Sequence, residues 1–494
     1  MKKDPYVAPT IRRVSQATAN PQRLGRVPVM SAIEGVAVAD LIESHGSPVF
    51  VFSEAKLRDK IREAKTAFQA VYPKVQFAWS YKTNYLNAIC RVFHQEGSLA
   101  EVVSGFEYEK ARHNGMAGNQ IIFNGPYKTE AELRRALAEG ALIQIDNRDE
   151  ALLLARLAEE RNQEIRVGIR VHVDTGTHAV WSKFGFNADD GEALRMILWL
   201  KENTRLRVCG IHCHVGTFML DSGAYETAAR ALVGMALAAM EAGAGLVEYL
   251  NLGGGFASHA RLHGQYLPPE QATPHLDDYA RAICGTIKDL WPQGRELPQL
   301  YLETGRALVD DAGYLVSSVV AVKQRALREV SSAVAAYGKS GASPASALGA
   351  YGKGTSGHAV LETRRNAVVL DAGINILYTT TWYQPAIYPA AETTASMQPT
   401  TVYGCLCMNI DVIREEASLP DLHAGDAVVI HPVGAYNITQ SMQFIAYRPA
   451  VVMIAPDKQV HVIRRRETLE DVQGPEEVPS YLLDQQPNSA AIAR

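Results

Sequence analysis

The stretch QFAWSYKTNYLNAI (76–89) sets the reading of this chain. An alternating apolar run ends near Ser80 and gives way to a helical pattern, with Lys82 and Asn84 at the junction. A strand that feeds straight into a helix is one unit of an α/β fold. A lysine at the mouth of such a strand is where an enzyme would hold an aldehyde cofactor as a Schiff base. Taken alone, Lys82 reads more readily as a solvated surface charge, as most lysines are.

Repetition lifts it above that reading. Seven further strand-like runs follow: LAEVVS (99–104), IIFNG (121–125), LIQIDN (142–147), RVGIRVHV (166–173), RVCGIHCHVG (207–216), VEYLNLGGG (247–255) and QLYLETGR (299–306). They are rich in Val, Ile and Leu and bounded by Gly, Asn, Asp or Pro. Helical patterns lie between them. Thr129 and Glu132 form a capping box before ELRRALAEG, and Ser53 stands where it would cap EAKLRDKIREAKTAF. DEALLLARLAEERN (149–162) and ALVGMALAAMEAG (231–243) carry apolar residues at helical spacing. Eight strand–helix units predict a closed (β/α)8 barrel; an open doubly wound sheet is the alternative. A barrel gathers its chemistry at the C-terminal strand ends. Lys82, Ser104, Asn124, Asp146, Arg170, His214, Gly253–Gly255, Glu303 and Arg306 fall there in order.

After Arg306 the pattern changes. YLVSSVVAVK (314–323), NAVVLDAG (366–373), TTVYGCLC (400–407), DAVVIHP (426–432) and PAVVMIAP (449–456) are strand-like with few helices between, which predicts a mostly β second domain. The expected division is a tail and lead-in segment over 1–50, a barrel over 51–312, a β domain over 313–465 and a C-terminal tail over 466–494. An Ala/Gly/Ser-rich insertion is expected near 330–365.

Composition narrows the function. Of 494 residues, 47% are hydrophobic and 21% charged, enough to bury a full core. The net charge of -4 gives no reason to expect nucleic acid or an anionic membrane as partner. No apolar run is long enough to span a bilayer, and the N-terminus lacks the apolar segment of a secretory signal. The six cysteines form no small-domain disulfide framework, so a cytoplasmic location is expected. Neither the CxC at Cys405 and Cys407 nor the HCH at 212–214 has the spacing of a structural zinc site, and no metal is expected.

The strand-end residues suggest a phosphate-bearing ligand. Glycine runs let backbone N–H groups approach an anion closely, and the loops after the last two strands form the usual phosphate site of such barrels. His214 could stack on a planar ring, or be a satisfied core histidine. Glu303 facing Lys82 could be a simple salt bridge. With a pyridine ring between them, the carboxylate would keep the ring nitrogen protonated and make the ring an electron sink.

In order along the chain, SYKTN, EVVSGFE (101–107), SKFG (182–185), HCHVGT (212–217), NLGGGF (251–256), LETGR (302–306), GCLCMNID (404–411) and GAYN (434–437) resemble the motifs of fold-type III pyridoxal-phosphate decarboxylases, the ornithine and diaminopimelate group, with the diaminopimelate enzymes the nearest pattern. The resemblance implies pyridoxal 5'-phosphate as cofactor, with Lys82, Glu101, Arg170, His214, Thr217, Gly254, Gly255, Glu303, Gly305, Arg306 and Tyr436 at its site. It implies an amino-acid substrate and a homodimer with shared sites, in which Cys407 reaches the neighbouring subunit's site and acts with Lys82 and His214. Substrate contacts are implied for Arg306, Gln384, Tyr388, Met408 and Asp411.

Where an acid follows the cysteine in the diaminopimelate enzymes, this chain has Met408. Where an arginine reads the distal carboxylate it has Gln384, and threonines follow the ILY element at 376–378. Thr304 replaces the usual proline and Glu101 an aspartate. The cofactor site looks intact and the distal pocket rewritten. The expected activity is α-decarboxylation of an amino acid with a neutral or bulky distal part, with Trp382, Tyr383 and Met408 lining the pocket. The alternatives are a true meso-diaminopimelate decarboxylase, a racemase or epimerase, which Glu303 disfavours, and a non-catalytic cofactor carrier.

Overall fold

The computed structural model describes residues 28–177, 180–327, 363–393 and 395–483. Eight parallel strands form the barrel: β1 (Val75–Ser80), β2 (Leu99–Val102), β3 (Ile121–Phe123), β4 (Leu142–Ile145), β5 (Ile165–His172), β6 (Leu206–Cys213), β7 (Tyr249–Asn251) and β8 (Gln299–Thr304). Each pairs with the next, β8 pairs with β1, and β5 with β6, so the sheet closes. Closure excludes the open doubly wound alternative.

The interior is packed rather than hollow. The Tyr249 ring fills the space that glycines leave: a Cβ on Gly210 would lie 2.0 Å from that ring, and one on Gly168 2.1 Å from its hydroxyl. Helices cover the outside with their caps made as the sequence predicts. Ser53 Oγ accepts the Lys56 N–H at 3.2 Å at the head of the helix Glu54–Val71. Thr129 and Glu132 exchange both bonds of the capping box, at 3.3 and 2.7 Å. The helix expected over 231–243 starts earlier and spans Gly223–Glu241, because Ala224, Tyr225 and Ala228 continue its buried face.

The second domain is a sheet centred on the long strand Gly313–Leu327. On one side it pairs with Thr363–Leu370, followed by Gln398–Tyr403 and Val412–Leu419; on the other with Val49–Ser53, followed by Ala450–Ile454 and Val460–Arg464. Ala427–His431 also pairs with it and carries Ala386–Pro389. Val49–Ser53 therefore sits in the second sheet, so a boundary at residue 51 cuts a strand of that sheet. The strands at 386–389, 412–419 and 460–464 escape the sequence reading; their half-buried positions blur the alternation. The insertion expected near 330–365 lies almost wholly outside the described residues. Past 465, Glu467 pairs with Arg448 at 2.8 Å and Arg466 donates to Pro48 O at 2.8 Å, so the start of the expected tail is anchored. Among the described residues no helix is long and apolar enough to cross a membrane.

One loop of the sheet domain closes onto the barrel. Tyr436 N–H donates to Thr83 O at 2.8 Å, Ala435 N–H to Asp310 Oδ1 at 3.1 Å, and Thr439 Oγ1 to Lys82 O at 2.8 Å. A Cβ at Gly434 would lie 2.0 Å from Val309 O, so only glycine permits this approach.

Candidate active site

The C-terminal mouth of the barrel holds a cavity of about 680 Å³. Lys82, Glu101, Asn124, Arg170, His212, His214, Thr217, Glu303, Arg306 and Tyr436 reach it from seven separate segments. Lys82 lies in the short turn Tyr81–Thr83 directly after β1. Its ammonium contacts both Glu101 oxygens, at 3.0 and 2.8 Å. Burial alone would favour the neutral amine, but the charges of Glu101, Tyr436 and Glu303 outweigh it and raise the Lys82 pKa.

Glu303 ends β8 beneath the cavity. Its Oε1 accepts from Asn124 Nδ2 at 2.8 Å and from Asn251 Nδ2 at 2.6 Å, and His212 Nε2 lies 3.4 Å from Oε2. Burial works against its charge; His212, Lys82 and the Asn124 bond overcome that and hold the carboxyl well below its usual range. His214 goes the other way. Burial, then the charges of Lys82 and Arg170, push its pKa down to about 3, so the ring is neutral at any working pH. Its Nδ1 accepts the Gly254 N–H at 3.1 Å, which leaves the ring proton on Nε2.

Arg170 donates to Asp146 Oδ1 at 3.2 Å and lies over the Phe184 ring at 4.4 Å. Arg306 is buried, donates to Asp310 Oδ2 at 3.1 Å, and lies 4.3 Å from the Tyr383 ring centre and 4.9 Å from that of Tyr436. Beside these groups a small recess is bounded by Lys82, Thr83, Thr217, Gly255, Gly305, Arg306 and Tyr436. Its glycines are required: a Cβ on Gly255 would meet Gly216 O at 2.2 Å and one on Gly305 Thr83 Oγ1 at 2.1 Å, and a Cβ on the adjoining Gly254 would lie as close, 2.1 Å from Glu303 O. Tyr436 holds a left-handed backbone at φ 65°, uncommon for an aromatic residue and found where structure over-determines position.

The structure does not bring every expected residue here. Gln384 and Tyr388 line a different cavity. Leu262 bridges Tyr383 in antiparallel fashion, and the two-residue alternation of extended chain sends Tyr383 to the barrel mouth and Gln384 to the opposite side. Cys407, Met408 and Asp411 also lie off the cavity within this chain. Asp411 closes their loop instead, accepting the N–H groups of Ile374 at 2.8 Å and Leu406 at 2.7 Å.

Several contributors carry no clear local signal in the sequence. His212 stands beside Glu303, Asn251 bonds it, and Trp181 and Phe184 supply an aromatic wall, the Trp181 ring lying 5.6 Å from that of His214. His212 is the exception: it precedes His214 by two residues at the end of one strand, so both face inward.

Eight strand ends, a lysine at the first, and a glycine cradle beside it define the class: a barrel enzyme that holds a phosphorylated aldehyde cofactor. The sequence matches the family described as "Pyridoxal-dependent decarboxylase, pyridoxal binding domain" over residues 56–310, and that described as "Pyridoxal-dependent decarboxylase, C-terminal sheet domain" over 306–434. The chain belongs to the pyridoxal-dependent decarboxylases, and more narrowly to their diaminopimelate and ornithine group. It is 29% identical over 473 residues to a diaminopimelate decarboxylase of Methanothermobacter thermautotrophicus, covering 91% of this chain and 96% of that one. A diaminopimelate decarboxylase of Actinosynnema pretiosum is 32% identical over 455 residues, 89% of this chain and 90% of its own. The crystal structure of diaminopimelate decarboxylase from M. jannaschii superposes with a TM-score of 0.76 at 26% identity, over 92% of this chain and 99% of that one.

Pyridoxal phosphate is therefore the cofactor, and the residues present fit it. Thr83 Oγ1 and Asn124 Oδ1 are buried without a hydrogen-bond partner at the cavity edge. The recess lies against Gly255 and Gly305, whose close packing on Gly216 O and Thr83 Oγ1 leaves room for no side chain there. Lysine, neutral imidazole and low-pKa carboxylate suit its aldehyde, ring face and ring nitrogen in turn.

Proposed function

We propose that this decarboxylase acts on the α-carboxylate of an amino acid whose distal part is neutral or bulky. The observation that carries this reading is the state of the acids. Among the described residues, Glu101 and Glu303 are the carboxylates that line the cavity, and each is already engaged by Lys82 or by Asn124, Asn251 and His212. Neither is spare for a second ammonium group. The remaining wall is largely apolar: Val103, Pro126, Trp181, Phe184, Phe218, Leu262, Trp382 and Tyr383. A distal charge brought against it would lose hydration without a partner.

When bound, pyridoxal phosphate supplies the electron sink for the pair released as the Cα–carboxylate bond breaks. Lys82 would hold its aldehyde carbon and give way to the substrate amine. Glu101, 2.8 Å from Lys82 Nζ, would orient that side chain toward the cofactor. Glu303, kept ionised by its three partners, would hold a proton on the ring nitrogen. His214 offers a neutral ring face and cannot compete as a cation. Thr217, Gly255, Gly305, Arg306 and Tyr436 would bind the phosphate, Gly254 would hold His214 against the ring through its N–H, and Arg170 would meet the ring's phenolic oxygen. Cys407 sits exposed on its loop. In this reading it enters a neighbouring copy's site and returns the proton to Cα, which makes the active form a homodimer.

A screen of amino acids and amine-bearing metabolites for CO2 release tests the assignment. The second reading is a true meso-diaminopimelate decarboxylase, favoured by the relatives that carry that name. A kcat/KM for meso-diaminopimelate of about 10⁴ M⁻¹s⁻¹ or more establishes that second reading and overturns the first.

A further inference from the structure

A second cavity of about 590 Å³ lies where the barrel meets the sheet domain, outside the site just described. Most of its charges are already matched. Lys60 pairs with Glu63 at 3.0 Å and His259 with Asp311 at 2.7 Å, while Lys56 contacts the Tyr314 hydroxyl and Glu34. His431 is bonded to Asp311 O at 2.9 Å, and Asp59 and Glu270 are exposed.

Two arginines differ. Arg261 donates through Nε and Nη2 to Gln265 O, at 3.3 and 3.0 Å. Arg414 donates through Nε to Glu416 O at 3.1 Å and through Nη1 to Pro385 O at 3.2 Å. Both are half-buried, both bond only neutral carbonyls, and among the described residues neither has a carboxylate within ion-pair distance. Each guanidinium has five N–H donors, so each keeps several that these carbonyls do not use. Burial, then the neighbouring charge of Arg261, depresses the Arg414 pKa, and the Glu416 charge only partly opposes them. Two like charges held together and partly out of water are costly unless an anion lies between them. Gln384 and Tyr388 line the same space, adding an amide and a hydroxyl.

We propose that this cavity is an anion site that takes a small molecule bearing a carboxylate or phosphate between Arg261 and Arg414. Planar guanidinium forks match either group in bidentate fashion. The site adjoins the catalytic cavity through a thin wall. Gln384 N–H donates to Arg261 O at 2.7 Å and His263 N–H to Trp382 O at 3.0 Å, and while Arg261 and Gln384 face the anion site, Leu262, Trp382 and Tyr383 face the catalytic one. An anion held by Arg261 thus bears on the wall of the substrate pocket. The proposal does not depend on which amino acid the enzyme decarboxylates.

The test is calorimetric titration of the cofactor-loaded enzyme with inorganic phosphate and, separately, with succinate. Cofactor loading keeps the recess beside Lys82 occupied. Saturable binding of one probe is expected, and the tighter probe identifies the anion class. Arg414→Gln and Arg261→Gln should each weaken it about tenfold or more while leaving the cofactor's absorbance unchanged. Equal affinity in wild type and both variants, or no binding at millimolar concentration, overturns the proposal. In the wild-type enzyme the bound probe should also protect the peptides carrying Arg261 and Arg414 from phenylglyoxal, read by mass spectrometry. Unprotected labelling overturns the proposal without reference to any variant.

Discussion

His212 Nε2 lies 3.4 Å from Glu303 Oε2, and both side chains are buried beneath the cavity floor. The pair is longer than a good hydrogen bond, so its effect is chiefly electrostatic. His212 is therefore expected to act as a positioning residue for the Glu303 charge. Glu303→Gln is expected to lower kcat about 10²–10³-fold, the range of a lost preorganised charge, while the protein still takes up cofactor. His212→Phe should lower kcat less, and shift the acid limb of the pH–rate profile by raising the Glu303 pKa. An unchanged profile would remove His212 from this role.

Lys82 is the residue expected to carry the cofactor. Borohydride treatment of the yellow protein should abolish its absorbance, and peptide mass spectrometry should place the reduced adduct on Lys82. An adduct on Lys128 or Lys183, or none, would refute the assignment.

The shared-site expectation is tested by subunit exchange. Lys82→Ala and Cys407→Ala homodimers should each be inactive. Random exchange makes half the dimers mixed, with one intact site each, so mixing should restore about a quarter of full activity. Zero recovery means that the sites are not shared.

Glu107 links pH to stability. Burial, then the nearby Glu101 charge, raises its pKa from 4.5 to about 7, against the opposing Val103 N–H bond and Lys82. Between those values the folded chain binds more protons than the unfolded one, so stability falls as pH rises through that window and stays reduced above it. Glu107→Gln should therefore gain up to about 3 kcal/mol over wild type at pH 8, and nothing below pH 4.5. Denaturant midpoints at both pH values decide it, at equal cofactor loading.

Lys128 tests the frame behind the site. Its fully buried ammonium donates to Gly125 O at 2.9 Å, Gln144 O at 3.0 Å and Glu150 Oε1 at 2.7 Å, tying the segment after β3 to β4 and to the helix Arg148–Arg161. Lys128→Met strands the Glu150 charge and should cost about 3–5 kcal/mol. Adding Glu150→Gln should restore part of that, because the two residues are coupled. Additive losses in urea unfolding would contradict the coupling.

The sequence by itself determined the eight strand–helix units, their caps at Ser53 and Thr129, and the strand-end positions of Lys82, Arg170, His214, Glu303 and Arg306. These follow from short-range physics: alternation, capping and the polarity of a parallel barrel. The tertiary structure alone decided that Val49–Ser53 joins the second sheet, that Gln384 turns away from the barrel mouth while Tyr383 enters it, that His212 meets Glu303, and that Tyr436 closes over Thr83. Each of these pairs residues 91 or more positions apart in sequence or depends on the facing of a single bridge between Leu262 and Tyr383. No local pattern encodes such contacts, because the free energy that fixes them comes from burying distant surfaces together.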